Sequence, residues 1–230
     1  MIHCLRQFDP HRVRLLVFDL DGTLIDSRLD LVHSVNATLR HLGRPELAGD
    51  LIASYVGDGA PTLVRRVLGD ADADNQALLR EALEYFLGYY RLHKLDHTTV
   101  YEGIPEVLAA LANSNGVPRL MAVLSNKPVN PSRDIVRALG LADFFVRVYG
   151  GNSFTTKKPD PLGVRTILTE TGVPADEALM IGDSANDVLT GRNAGLWTCG
   201  VTYGFAPHSL EEVPPDVLIE SPFELGELLR

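Results

Sequence analysis

A chain of 230 residues, of which 45% are hydrophobic and 22% charged, is long enough to bury one large core or two smaller ones. Its formal net charge of -9 argues against a general nucleic-acid-binding protein, which needs a basic face, but leaves small phosphorylated substrates open. The two cysteines, Cys4 and Cys199, are too few for a disulfide framework. Because no signal-like segment and no long apolar run is visible, we expect a cytoplasmic protein with no membrane partner.

The first predicted strand, residues 13–18, is a short apolar run that leads into an acidic loop. Asp19 stands at the strand tip, Asp21 follows in the loop, and Gly22 permits a sharp turn. In a crevice at the end of a strand, two neighbouring carboxylates repel each other unless a cation or a shared proton offsets their charge. The alternative is a plain Asp-Gly β-turn, and this stretch alone leaves both interpretations open.

Residues 27–97 form a stretch in which every predicted element is helical. The first helix is capped by Asp26 or Ser27. Three more helices are predicted, at 46–56, 60–68 and 75–93. Since strands dominate the sequence that follows, this change predicts an all-helical insertion with hinges near 24–27 and 97–103. The predicted domains are a core of residues 1–26 and 98–230 and an inserted domain of residues 27–97.

Strands and helices alternate in the remainder of the chain. The predicted strands are 120–124, 145–149, 178–181, 198–201 and 217–219. The predicted helices between and after them are 106–113, 130–139, 162–171, 186–195 and 223–229. Such alternation predicts βαβ units and a parallel sheet. Residues 1–12 are predicted to be a loose arm.

Three predicted strands end in residues that a purely structural role does not require. Besides the acidic loop, these are Ser125-Asn126-Lys127 after the second strand and the segment 182–187 after a later one. A lysine, Lys157 or Lys158, stands on a loop between them. Taken singly, each has an ordinary explanation, such as a helix cap or a solvated loop charge. Together, at the carboxyl ends of one parallel sheet, they predict an active-site crevice.

The order and spacing of these motifs resemble the haloacid dehalogenase superfamily. The matching segments are D-x-D-G-T-L-x-D-S at 19–27, S-N-K at 125–127, K-P-x-P at 158–161 and G-D-S-x-x-D at 182–187. The helical insertion is similar to the small four-helix cap of that superfamily. The resemblance implies an α/β fold with a Rossmann-like three-layer core, a parallel sheet and an inserted all-helical cap. Within the superfamily, residues 55–64, 101–108 and 156–161 are similar to phosphoglycolate phosphatases.

The resemblance assigns the central chemistry to the two aspartates of the first motif. Asp19 would attack phosphorus and form an aspartyl-phosphate. Asp21 would protonate the leaving oxygen and then take a proton from the hydrolytic water. A Mg²⁺ ion would bind a side-chain oxygen of Asp19, the backbone carbonyl of Asp21 and the carboxylate of Asp183. This cation would offset the repulsion between the carboxylates and attract the phosphate.

The other motif residues are implied to bind the phosphoryl group or to support the residues that do. The Ser125 hydroxyl and the Asn126 amide would hold phosphoryl oxygens, and Lys158, which directly precedes a proline, would neutralise their charge. Asp187 would orient the lysine or a water on the metal. The remaining residues assigned to the site are Gly22 and Thr23 in the phosphate-binding loop and Ser184 beside Asp187.

Substrate choice is expected to lie in the insertion. The turn Gly57-Asp58-Gly59 resembles the cap loop that reaches the site, and Arg65 or Arg66 on the next helix could meet a substrate carboxylate such as that of glycolate. The ordinary alternative is that both arginines are solvated helix residues. Asp21 distinguishes the chain from the superfamily's dehalogenases and transport ATPases. With Lys94 as the only lysine of the insertion, phosphonate cleavage is not expected.

These observations predict a Mg²⁺-dependent phosphatase of small phosphomonoesters that resembles phosphoglycolate phosphatase. The alternatives are a phosphatase for a sugar phosphate or pyrophosphate, a β-phosphoglucomutase-like phosphomutase, and a non-catalytic protein that binds a phosphorylated ligand. We expect a small phosphorylated metabolite as partner, no nucleic acid, and a monomer or homodimer. The aromatic run at 85–90 is predicted to be core of the insertion, or a dimer surface, rather than a ligand platform.

Overall fold

The computed structural model describes residues 2–6, 9–72, 74–112 and 119–230 of the protein. In these ranges the strands are β1 (His3–Cys4), β2 (Leu15–Phe18), β3 (Ile25–Asp26), β4 (Thr99–Val100), β5 (Leu120–Leu124), β6 (Arg147–Tyr149), β7 (Ala178–Gly182), β8 (Trp197–Val201) and β9 (Val217–Ile219). The α-helices are α1 (Arg28–His41), α2 (Gly49–Ser54), α3 (Ala60–Leu68), α4 (Gln76–His93), α5 (Ile104–Ala112), α6 (Val129–Ala138), α7 (Leu162–Thr171), α8 (Ala185–Ala194), α9 (Ser209–Glu212) and α10 (Pro222–Leu228).

Seven of these strands form one sheet in the order β1-β9-β8-β7-β2-β5-β6. Neighbouring strands run parallel, except that β1 pairs antiparallel with β9. β2 lies between β5 and β7, with Leu15 opposite both Leu120 and Ala178. A strand covered on both faces is apolar along its whole length, which explains the continuous run from Leu15 to Phe18. The predicted α/β fold with a parallel sheet is confirmed.

Helices cover both faces of the sheet, as the alternating side chains of β2 demonstrate. Leu16 and Phe18 belong to a buried cluster with side chains of α5, α6 and α10. Leu15 and Val17 belong to a second cluster, on the opposite face, with side chains of α7. Because both clusters fix the central strand, the residue directly after it, Asp19, has a defined position at one end of the sheet.

Helices α1–α4 pack around a separate apolar core, and we refer to residues 28–93 as the helical segment. This core includes Leu31, Val35, Leu39, Ile52, Leu63, Val64, Phe86 and Tyr90. At the two ends of the segment, β3 and β4 pair antiparallel, with Ile25 opposite Val100. Buried Asp30 accepts hydrogen bonds from the N–H groups of His97 and Thr98, both at 2.9 Å, and from the Thr98 hydroxyl at 2.6 Å. The segments that enter and leave the helical segment are therefore held together by this strand pair and by the hydrogen bonds of Asp30. The division into two domains remains a prediction.

Three predicted elements are wrong in part. The arm at 1–12 contains β1, a strand of only two residues that is too short to leave a periodic signal. The helix predicted at 46–56 covers only Gly49–Ser54, because the Asn36 side chain bonds both the N–H and the carbonyl of Leu47 and holds this backbone outside the helix. The strand predicted from residue 145 begins at Arg147, because the preceding residues form a short 3-10 turn.

Other elements are confirmed closely. The helices predicted at 60–68 and 162–171 have these bounds in the structure. The helix predicted at 106–113 begins two residues earlier, at Ile104, and its predicted last residue, Asn113, lies outside the described residues. Cys4 is exposed, Cys199 is buried, and both thiols are free. Within the described ranges, no helix is both long enough and apolar enough to cross a membrane.

Candidate active site

The carboxyl ends of β2, β5 and β7 meet at one end of the sheet, where their loops and the helical segment enclose a cavity of about 60 Å³. The residues that these loops contribute to its lining include Asp19, Asp21, Ser125, Asn126, Lys127, Asp183 and Ser184. The helical segment contributes Leu31, Gly57, Gly59, Leu63, Phe86, Leu87 and Tyr90. The structure therefore brings together most of the residues that the sequence predicted at strand ends.

Behind the cavity wall, buried Lys158 joins two carboxylates. Its Nζ lies 2.9 Å from Asp19 Oδ1 and 2.6 Å from Asp187 Oδ1. Asp187 is held in turn by Ser184, whose N–H and hydroxyl donate to Oδ2 at 3.1 Å and 2.7 Å. Burial raises the pKa of Asp19 to about 6, although the ammonium of Lys158 acts to lower it. Lys158 thus faces Asp19 with Asp187 holding it in place, whereas Lys157 is exposed.

Asp183, Asp19 and Asp187 form a group of three buried acids. One carboxylate oxygen from each lies within 4.8 Å of the others. Burial raises the pKa of Asp183 to about 8, and the negative charges of Asp187 and Asp19 raise it further. The N–H groups of Phe205 and Ala206, which donate to its Oδ2 at 2.6 Å and 3.3 Å, act to lower it. Carboxylates held this close need a proton or a cation between them. An oxygen-only donor set of this kind fits a hard divalent cation such as Mg²⁺.

Gly22 allows the acidic loop to approach Asp183. Its φ is +79°, and a Cβ at this position would stand 2.2 Å from Asp183 Oδ2. Any other residue here would both adopt an unfavourable backbone conformation and collide with the carboxylate. Gly22 is therefore required by the geometry of the carboxylate group, and its predicted contact with phosphate stays a prediction.

Asp21 is bound by a lysine to which the sequence analysis gave no role. Lys127 Nζ lies 2.8 Å and 2.9 Å from the two carboxylate oxygens, and the Ser27 hydroxyl donates to Oδ1. The same ammonium stands over the ring of Tyr90 from α4, 4.6 Å from its centroid. Burial acts to lower the pKa of Lys127, but its charge interactions and hydrogen bonds with Asp21 and Tyr90 together raise it above the ordinary value. Lys127 is therefore a buried ammonium beside the predicted acid–base residue.

The Asn126 side chain holds two loops against each other. Its Nδ2 donates to the carbonyls of Gly57 at 3.0 Å and Lys158 at 3.1 Å, and its Oδ1 accepts from the Lys158 N–H at 3.0 Å. Because these contacts use both N–H groups of the side chain, the main-chain N–H is the group of Asn126 that could make the predicted phosphoryl contact. Ser125 is buried at the cavity, where its Oγ accepts from the Lys127 N–H at 3.3 Å.

The turn at 57–59 reaches the sheet loops, as its sequence predicts. Gly59 has φ +85°, and a Cβ here would lie 2.9 Å from the carbonyl oxygen of Asn126. Asp58 Oδ1 accepts from the side chain of Asn186 at 2.7 Å, and its Oδ2 pairs with Arg66 at 2.6 Å. Asp58 therefore connects the helical segment to α8, and its contact with substrate stays a prediction.

Arg65 and Thr23 do not line the cavity. Arg65 is exposed on α3. Thr23 is fully buried, and its carbonyl accepts from the Tyr203 hydroxyl at 3.0 Å. The substrate contacts predicted for both residues remain predictions, and the geometry gives Thr23 a place in the packing beneath the acidic loop.

Sequence reasoning missed Lys127 and Asn186 and gave Tyr90 only a packing role. Lys127 directly follows Asn126 in the S-N-K motif, so its place just beyond a strand tip was an available signal. Tyr90 is indeed buried in the helical segment, but it also lines the cavity. Helical spacing identifies the buried face of a helix, whereas it does not identify what that face covers.

Comparison with known proteins gives consistent results. A model of the haloacid dehalogenase-like hydrolases matches residues 16–201. The chain is 37% identical to a phosphoglycolate phosphatase of Chromobacterium violaceum, covering 95% of this chain and 97% of that protein. It is 38% identical to one from Neisseria meningitidis, covering 95% and 94%. Among solved structures, a "predicted phosphoglycolate phosphatase" from Haemophilus somnus superimposes with a TM-score of 0.88 at 27% identity, covering 95% and 99%.

Proposed function

This chain belongs to the haloacid dehalogenase-like hydrolase family, and we propose that it is a Mg²⁺-dependent phosphomonoesterase that hydrolyses 2-phosphoglycolate to glycolate and phosphate. The observation that carries the proposal is the placement of Asp19. Its buried carboxylate lines the cavity, paired with Lys158 at 2.9 Å and close to Asp183. A carboxylate in this setting is suited to attack phosphorus.

Hydrolysis then proceeds in two displacements. A carboxylate oxygen of Asp19 forms a bond to phosphorus while the bond from phosphorus to the leaving oxygen breaks, and Asp21 gives its proton to that oxygen. In the second displacement, Asp21 takes a proton from water as the water oxygen attacks the aspartyl-phosphate. Phosphate leaves, and the Asp19 carboxylate is regenerated. Lys158 neutralises charge on the phosphoryl oxygens throughout, and Ser125 orients them.

Asp19 and Asp183 are the side chains that would hold Mg²⁺. The raised pKa values of both, about 6 and about 8, express the cost of placing their charges together in a buried site. When bound, the cation supplies positive charge that offsets this repulsion and draws the phosphate to Asp19. Asp187 lies within the same group but already binds Lys158 and Ser184, so its role is to position the lysine.

The choice of phosphoglycolate rests on the relatives' names. The relatives named phosphoglycolate phosphatase are 37% and 38% identical to this chain over almost its full length. Apolar side chains, among them Leu63 and Phe86, line the cavity and limit the access of water to the reaction.

The test is phosphate release in excess Mg²⁺ from a panel of phosphoglycolate, glucose and ribose phosphates, β-glucose 1-phosphate, pyrophosphate and p-nitrophenyl phosphate. We expect kcat/KM to be highest for phosphoglycolate, and Asp19→Asn to abolish turnover without lowering Tm. Asp143→Asn, which changes an exposed acid, is the matched control and should retain full activity. A flat substrate profile would remove the assignment of phosphoglycolate. Turnover by Asp19→Asn at the wild-type rate would refute the nucleophile.

A further inference from the structure

Lys127 is the one cationic side chain among the described residues that line the cavity. Only 5% of its side chain is exposed. A buried ammonium is stable only with an anionic partner, and Asp21 provides one at 2.8 Å and 2.9 Å. On its other side the ammonium meets Tyr90, both the face of its ring and its hydroxyl. An anion that enters the cavity therefore finds an ammonium there that is not surrounded by acids.

Tyr90 supplies a second donor beside that ammonium. Its hydroxyl is buried and faces the Lys127 ammonium, which can only donate, so that the hydroxyl's own proton has no acceptor among the described residues. A buried hydroxyl proton without an acceptor is uncommon, and one that faces a cavity is explained by a ligand that accepts it. Apolar residues of the helical segment, Leu31, Leu63 and Phe86, form much of the surrounding wall. Lys127 and Tyr90 thus form a polar pair within an apolar wall.

The other cations near the site are paired with carboxylates or do not line the cavity; the second group includes Lys157, whose Nζ lies beside Gly59, and Arg28, which stands over the Phe205 ring. Lys158 is shared between two carboxylates, and Arg66 pairs with Asp58. Arg65, the residue that the sequence suggested for a substrate carboxylate, is exposed and does not line the cavity. For a second negative charge on a substrate inside the cavity, Lys127 is therefore the cation of the cavity lining.

We infer that Lys127, with the Tyr90 hydroxyl as second donor, binds an anionic group on the leaving side of the phosphoester and so selects substrates such as phosphoglycolate that carry a carboxylate. The inference rests on the proposed function. Binding of the substrate carboxylate replaces part of the Lys127–Asp21 contact, so that Asp21 can turn towards the leaving oxygen. The helical segment contributes to selectivity through one tyrosine, and the decisive charge comes from the loop after β5.

The experiment compares two substrates that differ only in this group. In 2-hydroxyethyl phosphate a neutral hydroxymethyl replaces the carboxylate of 2-phosphoglycolate. The wild-type protein should prefer phosphoglycolate by at least about tenfold in kcat/KM. Lys127→Met should lower this ratio towards one, mainly through the KM for phosphoglycolate. Lys127→Arg should retain a preference, and Tyr90→Phe should lower it partly. Lys157→Met removes an exposed lysine while leaving the neighbouring Lys158 in place, and it should leave the ratio unchanged.

The ratio separates selection from a merely structural role, because loss of the contact with Asp21 slows both substrates equally. A Lys127→Met variant that keeps the wild-type ratio, whatever its absolute rate, would overturn the inference while leaving the proposed function intact. If the wild-type protein itself does not discriminate between the two substrates, the assignment of phosphoglycolate fails and the inference fails with it. Should Lys127→Met not fold, the Tyr90→Phe ratio decides, because an unchanged ratio there overturns the assignment of the Lys127–Tyr90 pair as the carboxylate-binding site.

Discussion

Without divalent cations, the stability of this protein should fall as the pH rises from about 5 to about 8. The pKa of Asp183 is about 8 in the folded protein, against an ordinary value of 3.8. Between these values the folded chain keeps a proton that the unfolded chain has released. Because the unfolded state then binds fewer protons, the free energy of unfolding decreases with each unit of pH. The stabilisation is complete below pH 3.8 and is lost by about pH 8.

The size of the effect follows from the linkage relation. One group contributes about 1.4 kcal/mol for each pH unit in this window. From pH 5 to pH 7, Asp183 alone should therefore lower the free energy of unfolding by about 3 kcal/mol. In a chain of this length, about 1 kcal/mol shifts Tm by about 2–4 °C, so the expected decrease is about 6–12 °C. A bound Mg²⁺ would replace the proton among the carboxylates, so that its stabilising effect should be larger at pH 7 than at pH 5.

The assay is thermal unfolding in EDTA and in excess Mg²⁺, at pH values from 5 to 8. The difference between the two curves at each pH removes the contribution of titrating groups elsewhere. In Asp183→Asn this difference should lose most of its dependence on pH, whereas Asp143→Asn, with an exposed carboxylate changed, should behave as the wild type. Parallel curves with and without Mg²⁺ would refute the reasoning, and so would an Asp183→Asn variant that keeps the wild-type slope.

Three substitutions test other contacts. Asp30→Ala removes the acceptor of three hydrogen bonds, so we expect urea unfolding to give a free energy lower by about 2–4 kcal/mol; a loss below about 0.5 kcal/mol would contradict this. Gly59→Ala places a Cβ 2.9 Å from the Asn126 carbonyl oxygen at φ +85° and should lower kcat/KM at least about tenfold. An unchanged kcat/KM would show that the turn at 57–59 can accept a Cβ without disturbing the site. Asp187→Asn keeps an acceptor for Ser184 but weakens the ion pair with Lys158, so activity should fall about 10–100-fold with Tm nearly constant. A large decrease in Tm that accompanies the loss of activity would contradict a positioning role.

The sheet was predictable because its strands carry two independent signals. An apolar run such as Leu15–Phe18 can be buried on both faces, and the polar residues after it mark the carboxyl end. Since parallel strands point the same way, strand ends far apart in the chain could be placed in one crevice from the sequence alone. The two-residue strands β1, β3 and β4 carry no such pattern, and only tertiary pairing defines them.

The contacts between the helical segment and the sheet loops were not predictable in the same way. The sequence placed Asp21 and Tyr90 in separate elements, and nothing local indicates that Lys127 lies between them. The bond between Asp58 and Asn186 joins residues 128 positions apart. Such pairings depend on how the helical segment packs against the sheet loops. The shapes of the two surfaces determine this packing, and the periodicity of the sequence does not reveal it. The sequence therefore predicted the carboxylates of the site better than it predicted the residues that close it.

The central position of β2 also bears on the order in which the chain folds. β2 is synthesised before its partners β5 and β7, which follow only after more than a hundred further residues, with Leu15 opposite Leu120 and Ala178. Contacts between such distant segments close slowly, because the intervening chain must be ordered first. The helices α1–α4 have mostly local partners and can pack before β5 and β7, the partners of β2, have been synthesised. Synthesis thus leaves the strand that precedes Asp19 as an exposed apolar segment, and early packing of the helices shortens the effective loop that must then close between β2 and its partners.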